Sequence, residues 1–447
     1  VVIRLFTDAA VGREFVLRQR EMTEAELSPR MREGVQRVFG EDLTADQVVS
    51  RIIADVRANG DDALRHYTRE IDGVELDSFE VSPDEIQQAL DTVPGDVTEA
   101  LHFAAERIRR FHEQQHIDSW IDFQPEGALG QMIRPLERVG LYAPGGTAPY
   151  PSSLLMTAIP AAVAGVDEIV VCAPPERDGR IAPVTAVAAH VAGVSRVFKL
   201  GGAQAIAALA LGTASVPKVD KILGPGNIFV VLAKRQVYGE VAIDALPGPT
   251  ETLLIADASA DPALCAADML AQAEHDAMAS AILLTTSSDL AAAVRHEIER
   301  QLNQLSRSTI AAESMAANGA IVVVPSLDDA FDIANDYAPE HLCLLLENPW
   351  DHIASVKHAG GIFVGEHSPE VIGDYTAGPS HVMPTGRTAR FSSPVNVSDF
   401  VKVISVIGLN ERGLRHVGPA AVRIAHAEGL TAHAAAVEQR LERLRPE

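Results

Sequence analysis

Four short stretches gather residue types that could hold a metal ion or move a proton. In "AQAEHD", Gln272 and His275 stand three apart, so on a helix they project from one face while Glu274 points elsewhere. A solvated polar edge would read the same way. In "DYAPEHLCLLLE", Pro339 halts a helix and Glu340-His341 stands at the mouth of an apolar strand. Ligands of α/β sheets gather at strand ends, so an acid beside an imidazole there is placed for proton transfer; a plain turn with two exposed polar residues fits equally. The long loop Glu370–Gly386, "EVIGDYTAGPSHVMPTG", carries Asp374, a hard oxygen ligand, and His381, a ligand or hydrogen-bond donor. An Asx-turn and an ordinary surface histidine are the bland alternative. Last comes "AEGLTAHAAAVE", where Gly429 separates Glu428 from a helix that opens near Thr431 and exposes His433. Together the set offers a glutamine oxygen, two imidazole nitrogens and a carboxylate, which suits zinc with positions open to substrate. With 15 histidines in the chain, accidental combinations are also easy.

Glycine turns that could cradle a phosphate form a second group. No G-x-G-x-x-G followed by an acid some twenty positions on is present, so the usual dinucleotide fingerprint is missing. "GLYAPGGTAPYPSS", "LGGAQA" and "ILGPGN" remain as strand ends leading into helices. Backbone amides at such helix starts bind anions, which makes a nucleotide diphosphate plausible there. They serve equally well as tight strand-to-helix turns.

These residues need a scaffold, and the chain supplies one from about residue 137. Short β-branched runs such as "EIVVCAPP", "TLLIAD", "AILLTT" and "HLCLLLE" alternate with helix candidates such as Ser152–Val166, Ala203–Leu211 and Pro262–Asp276. That alternation predicts parallel α/β layers. A Pro- and Gly-rich break at Asp244–Thr252 divides the series into two units of similar size. The expected fold class is α/β, with two Rossmann-like units whose parallel sheets face a cleft. A charged helical segment precedes them, and the tail after about residue 397 is expected to resolve into short helices that dock on something.

Bulk properties narrow the partners. A chain of 447 residues is too long for one simple core, and its 47% apolar and 22% charged content is that of a soluble globular protein. A formal net charge of −24 repels nucleic acid and anionic membranes, so neither is expected as a partner. The run Ser152–Val166 is too short for a bilayer span. The opening residues meet charge every few positions, unlike a secretion signal. Cys172, Cys265 and Cys343 each lie in an apolar segment without a partner at ligand spacing, so reduced thiols and a cytoplasmic location are expected.

The polar segments and glycine turns together resemble the histidinol dehydrogenase family. "GLYAPGG", "PSSLLMTAIPA", "GGAQAIAALA", "GPGN", "PGPTETLLIAD", "AQAEHD", "YAPEHL", "GDYTAGPSHVMPTG" and "EGLTAHAAAV" occur in the family's order across about residues 50–440. The resemblance implies oxidation of L-histidinol to L-histidine through the aldehyde with reduction of two NAD, in a zinc-dependent homodimer with one zinc per subunit. By motif position, Gln272, His275, Asp374 and His433 are implied as zinc ligands and Glu340 and His341 as the catalytic pair. Tyr142, Gln204 and Asn227 match NAD contacts. Substrate contacts would fall on Thr250, Gln272, His275, His341, Asp374, His381, Glu428 and His433. Thr250 stands where many members carry serine. The implied layout is an N-terminal helical arm (1–45), a zinc-bearing α/β domain (46–141 with 252–396), an NAD-binding α/β domain (142–251) and an extension reaching the partner subunit (397–447). The competing reading from the residues is a zinc hydrolase in which Glu340 activates a metal-bound water.

Overall fold

The computed structural model describes residues 3–18, 27–145 and 149–444. The chain forms two compact units, one built from Val1–Gln114 and Glu137–Phe400, the other from Gln115–Leu136 and Val401–Glu447.

The larger unit holds two parallel sheets. One has five strands in the spatial order Arg196–Lys199, Glu168–Ala173, Arg138–Tyr142, Lys221–Leu223, Ala242–Ile243. The other has six, ordered Arg4–Phe6, Ala320–Val323, Ser280–Thr285, Glu251–Ala256, His341–Leu345, Gly361–Val364. Setting aside the edge strand Arg4–Phe6, both sheets follow one plan: the first strand in sequence is central, the second and third lie to one side, and the fourth and fifth to the other. Each therefore has a switch point between its first and fourth strands, where the flanking connections diverge and leave a crevice. Glu251–Ala256, Ser280–Thr285 and His341–Leu345 are buried at every position. That explains why they read as unbroken apolar runs rather than alternating ones, since helices cover both faces of a parallel sheet.

The segment before residue 137 packs differently from expectation. Val48, Val49, Ile52, Leu64, Tyr67 and Phe79 share one core with Val170, Cys172, Phe198 and Ala205, so residues 45–79 cover the five-stranded sheet rather than joining 252–396. The apolar face of the helix Ala45–Asn59 meets the Ala-rich helix Gly202–Leu211, whose small side chains admit it closely. Arg4–Phe6, expected within a helical arm, extends the six-stranded sheet beside Ala320–Val323.

The smaller unit also departs from the expected run of short helices. Val401–Leu409 is a nine-residue strand pairing antiparallel with Gly127–Pro135, which pairs with Trp120–Gln124. "VKVISVIGL" is dominated by β-branched residues, which favour a pleated strand. Two helices follow, Glu411–Ala427 and Thr431–Arg443, and Gly418 on the first lies against Val437 and Leu441 on the second. Among the described residues no helix is long and apolar enough to cross a membrane, and Cys172, Cys265 and Cys343 are free and buried.

Candidate active site

The polar segments of the larger unit meet at the switch point of the six-stranded sheet, at the amino ends of its strands. Glu340 and His341 open the strand His341–Leu345, and Thr250 immediately precedes its neighbour Glu251–Ala256. This is the opposite edge from the one where ligands of such sheets usually gather. The five-stranded sheet turns its carboxyl edge toward these segments instead. Ser153, in the first turn of the helix that follows Arg138–Tyr142, bonds through Oγ to His381 Nε2 at 3.0 Å, and Ser380 Oγ donates to Met156 O at 3.0 Å. The carboxyl edge of one sheet thus abuts the amino edge of the other.

Local backbone chemistry sets the start of the strand His341–Leu345. The helix Leu327–Tyr337 ends on Ala338, which adopts a left-handed conformation (φ 52°) ahead of Pro339, a strained cap for a residue with a side chain. Glu340 O then accepts from Gly361 N at 2.9 Å, and a Cβ on Gly360 would lie 2.6 Å from that oxygen, so the close approach requires glycine.

His341 is 4% exposed. Its Nδ1 lies 3.2 Å from the carbonyl oxygen of Glu251, and a carbonyl only accepts, so the proton sits on Nδ1 and the lone pair on Nε2. Nε2 has no hydrogen-bond partner among the described residues and faces Asp374 Oδ1 at 3.9 Å. A buried imidazole with an unused lone pair can take up a proton as a general base, and the facing carboxylate favours the imidazolium that results. Behind the ring, Glu340 Oε2 and Glu370 Oε2 lie 3.9 and 4.0 Å from Nδ1.

Glu340 Oε2 accepts from Thr250 Oγ1 at 2.6 Å and from Glu251 N at 3.1 Å. Burial pushes its carboxyl up to about 8, with those two donors pulling the other way. Gln272 Nε2 donates to the same Thr250 hydroxyl at 2.6 Å, so Thr250 links the two polar segments. Glu370, buried with Oε2 unpartnered among the described residues, is also pushed up to about 8 by burial. In the sequence Glu370 is only the border of a loop. Its sole signal was an acid beginning the short helix Glu370–Tyr375 two residues before the apolar Ile372.

Gln272 lies in the last turn of the helix Pro262–Ala273, started by the Asp261 cap and Pro262. The helix stops three residues short of the expected Asp276, and His275 follows in a turn closed by His275 N donating to Gln272 O at 3.3 Å. The turn keeps both residues within one bend. His275 opens to solvent on one side; desolvation on the other lowers its pKa, while Asp374 acts to raise it. His381 is lowered in the same way, again against Asp374. His381 Nδ1 donates to Asp374 O at 2.7 Å, leaving Nε2 to accept from Ser153.

The donor set in this unit fits a zinc ion. With its nitrogen spent on Thr250, Gln272 presents a carbonyl oxygen; His275 offers an imidazole and Asp374 a carboxylate, a borderline N/O set. Among the described residues no three His, Cys, Asp or Glu form a ready cage. The expected set places only His275 and Asp374 of those types in this unit. Glu428 and His433 stand on the smaller unit, exposed, the first capping Glu411–Ala427 and the second in the opening turn of Thr431–Arg443.

The glycine turns of the five-stranded sheet are partly filled from within. Tyr142 OH accepts from Gly202 N at 3.0 Å, at the start of the helix Gly202–Leu211. Gln204 is fully buried and donates through Nε2 to Asp72 Oδ2 at 3.3 Å. The "GGAQA" turn therefore already has an acid beside it. Asn227 Oδ1 caps its own helix, accepting from Phe229 N and Val230 N, which leaves its amide nitrogen to reach a ligand. A buried Lys234–Asp244 ion pair grips the "GPGN" turn, Lys234 donating to Gly224 O and Asp244 accepting from Gly224 N. Neither residue of that pair stood out in the sequence.

Comparison with known proteins adds independent findings. The family model described as histidinol dehydrogenase matches residues 36–441. Histidinol dehydrogenase of Deinococcus radiodurans is 56% identical over 410 residues, spanning 91% of this chain and 93% of that protein. The Geobacter metallireducens protein of the same name is 53% identical over 401 residues, spanning 89% and 92%. The crystal structure of histidinol dehydrogenase from Elizabethkingia anophelis superposes with a TM-score of 0.90 at 35% identity, covering 99% of this chain and 98% of that one.

Proposed function

From the premise that the chain belongs to the histidinol dehydrogenase family, we propose how its residues divide the work. The reaction is the oxidation of L-histidinol to L-histidine by way of the aldehyde, with two NAD reduced in succession, the last steps of histidine biosynthesis. Family membership sets aside the hydrolase alternative.

His341 is the general base. Its Nε2 lone pair takes the hydroxyl proton of the alcohol and later that of the aldehyde hydrate, while the Glu251 carbonyl holds the ring by Nδ1–H. The observation that carries this reading is that orphaned, buried Nε2 facing the Asp374 side of the pocket. Asp374 Oδ1, 3.9 Å from Nε2, favours the imidazolium that forms, while Glu340 and Glu370 lie beside Nδ1 and add to this only when ionised. Glu340 activates the water that converts aldehyde to hydrate, its Oε2 anchored by Thr250 and Glu251 so that the remaining oxygen takes the proton. Gln272, His275 and Asp374, completed by His433, would hold the zinc. Zinc when bound supplies a Lewis-acidic point for the imidazole and amine of histidinol, and NAD supplies the hydride acceptor. Thr250, His381 and Glu428 complete the substrate pocket.

Tyr142, Gln204 and Asn227 line the NAD side. The carboxyl edge of the five-stranded sheet meets the catalytic edge of the other sheet through the Ser153–His381 bond, which supports a nicotinamide ring lying between them.

The working molecule is a homodimer with His433 and Glu428 acting across the subunits. Support comes from the smaller unit, whose three-stranded sheet exposes Phe123 at 80% and Ile407 at 74%, with Trp120, Leu129 and Val403 more than half exposed. A patch of that kind marks an interface. The three free thiols support a reducing, cytoplasmic setting. The test is stepwise: chelation abolishes NADH production from histidinol and added zinc restores it, whereas Glu340→Gln chiefly slows oxidation of supplied histidinaldehyde. Equal slowing of both steps by Glu340→Gln would refute the division of labour.

A further inference from the structure

A cavity of about 520 Å³ opens at the carboxyl edge of the five-stranded sheet, beside the ends of its first and second strands. Its walls include Pro144, Pro149, Pro174 and Pro175, flat apolar surfaces suited to a planar base. Asp72 also lines it, reaching in from the end of the turn Thr68–Asp72 that packs over the sheet. A Cβ on Gly201 would sit 2.7 Å from Pro174 and 3.4 Å from Asp72 Oδ1, so the carboxylate is held beside the start of the helix Gly202–Leu211. Two observations set Asp72 apart from a solvated surface acid. Gln204 engages only its Oδ2, at 3.3 Å, and the Gln204 carbonyl oxygen is buried with no partner among the described residues. Burial also pushes the Asp72 carboxyl up to about 7, the state of an acid short of donors. Glu176 and Asp178 add two negative charges at the rim against Arg177 alone.

We propose that this cavity seats the adenosine half of the dinucleotide, and that Asp72 accepts a hydrogen bond from the adenosine ribose and selects a free 2′-hydroxyl over a 2′-phosphate. The inference rests on the reading that the five-stranded sheet carries NAD. Asp72 does here what an acid at the end of the second strand does in ordinary dinucleotide folds, but from a helical layer earlier in the chain. That is why no acid appears at the usual spacing after a glycine fingerprint. Asp72 is a specificity residue; the reacting atoms lie elsewhere.

The test measures binding of ADP-ribose and of its 2′-phosphorylated analogue to the full-length, zinc-loaded protein by calorimetry. Asp72→Asn and Asp72→Ser are compared with wild type, each first checked by thermal unfolding. The expected result is that wild type prefers ADP-ribose at least about tenfold, and that either substitution weakens ADP-ribose about tenfold and narrows the preference to about threefold or less. An unchanged preference in whichever variant folds overturns the role of Asp72, because a purely structural role would weaken both ligands alike. Ala182→Trp, which fills the cavity, separates this failure from failure of the broader reading. If Ala182→Trp blocks ADP-ribose while the Asp72 variants leave preference intact, the seat stands and the selector falls. If Ala182→Trp binds ADP-ribose as wild type does, the cavity is not the seat and the proposal falls whole.

Discussion

Replacing Thr250 with valine keeps the side chain's shape and removes one hydroxyl, and the structure says what that hydroxyl does. It donates to Glu340 Oε2 and accepts from Gln272 Nε2, both at 2.6 Å. Burial holds the Glu340 carboxyl at about 8, and the Thr250 bond is the foremost effect opposing burial. Loss of a hydrogen bond to a charged group costs about 1.5–3 kcal/mol. At about 1.4 kcal/mol per pH unit, the Glu340 carboxyl should climb by about one to two pH units. Water activation needs the carboxylate, so oxidation of histidinaldehyde by Thr250→Val should fall about 10- to 100-fold at pH 7 and recover toward wild type as the medium becomes strongly alkaline. Thr250→Ser, which keeps the hydroxyl, should track wild type throughout. The assay is stopped-flow NADH formation from the aldehyde across pH, read as the difference between variants so that any common influence of bound metal cancels. A Thr250→Val profile lowered by the same factor at every pH would refute the reasoning, since it would mean the hydroxyl positions something without tuning Glu340.

His341→Asn should depress both oxidation steps about 10²- to 10⁴-fold, measured separately with histidinol and with the aldehyde; loss confined to one step would remove His341 as the shared base. In metal-free protein, Glu340 and Glu370 bind their protons more tightly folded than unfolded. Their contribution to stability is therefore complete below the ordinary value near 4.5 and is lost as pH rises through about 8. Calorimetric unfolding from pH 5 to 9 should show a falling Tm, with a shallower fall in Glu370→Gln; an identical slope would count against a buried proton on Glu370. Mixing an inactive His433→Ala protein with an inactive His341→Asn protein should regenerate activity through mixed dimers, whereas no regain after verified subunit exchange would argue for sites made within one chain.

Much of the candidate site was legible because its residue types are odd for their surroundings. Gln272 interrupts an Ala- and Leu-rich helix and His275 stands in the turn just past its end, and Glu340-His341 heads an otherwise apolar strand. Periodicity likewise gave the two parallel sheets, whose strands are buried on both faces and so appear as unbroken apolar runs. What sequence could not supply was packing between distant segments. The helix Ala45–Asn59 has an ordinary amphipathic pattern, and nothing local says that its apolar face belongs to Gly202–Leu211. Glu370 and Asp72 escaped for a related reason: a carboxylate's burial depends on what folds over it, and their neighbours in sequence are unremarkable. The strand Val401–Leu409 was missed because its exposed apolar residues lack the in-out alternation that marks a half-buried strand.

The central claim is that segments distant in the chain converge on one divalent cation that positions the substrate. Anomalous diffraction at the zinc edge from crystals of the zinc-loaded protein with histidinol tests it most directly. The account predicts a single strong peak with Gln272 Oε1, a His275 ring nitrogen, an Asp374 oxygen and a His433 ring nitrogen at about 2.0–2.2 Å, and substrate nitrogens filling the remaining positions. Zinc density away from His275 and Asp374, with histidinol bound regardless, would contradict it.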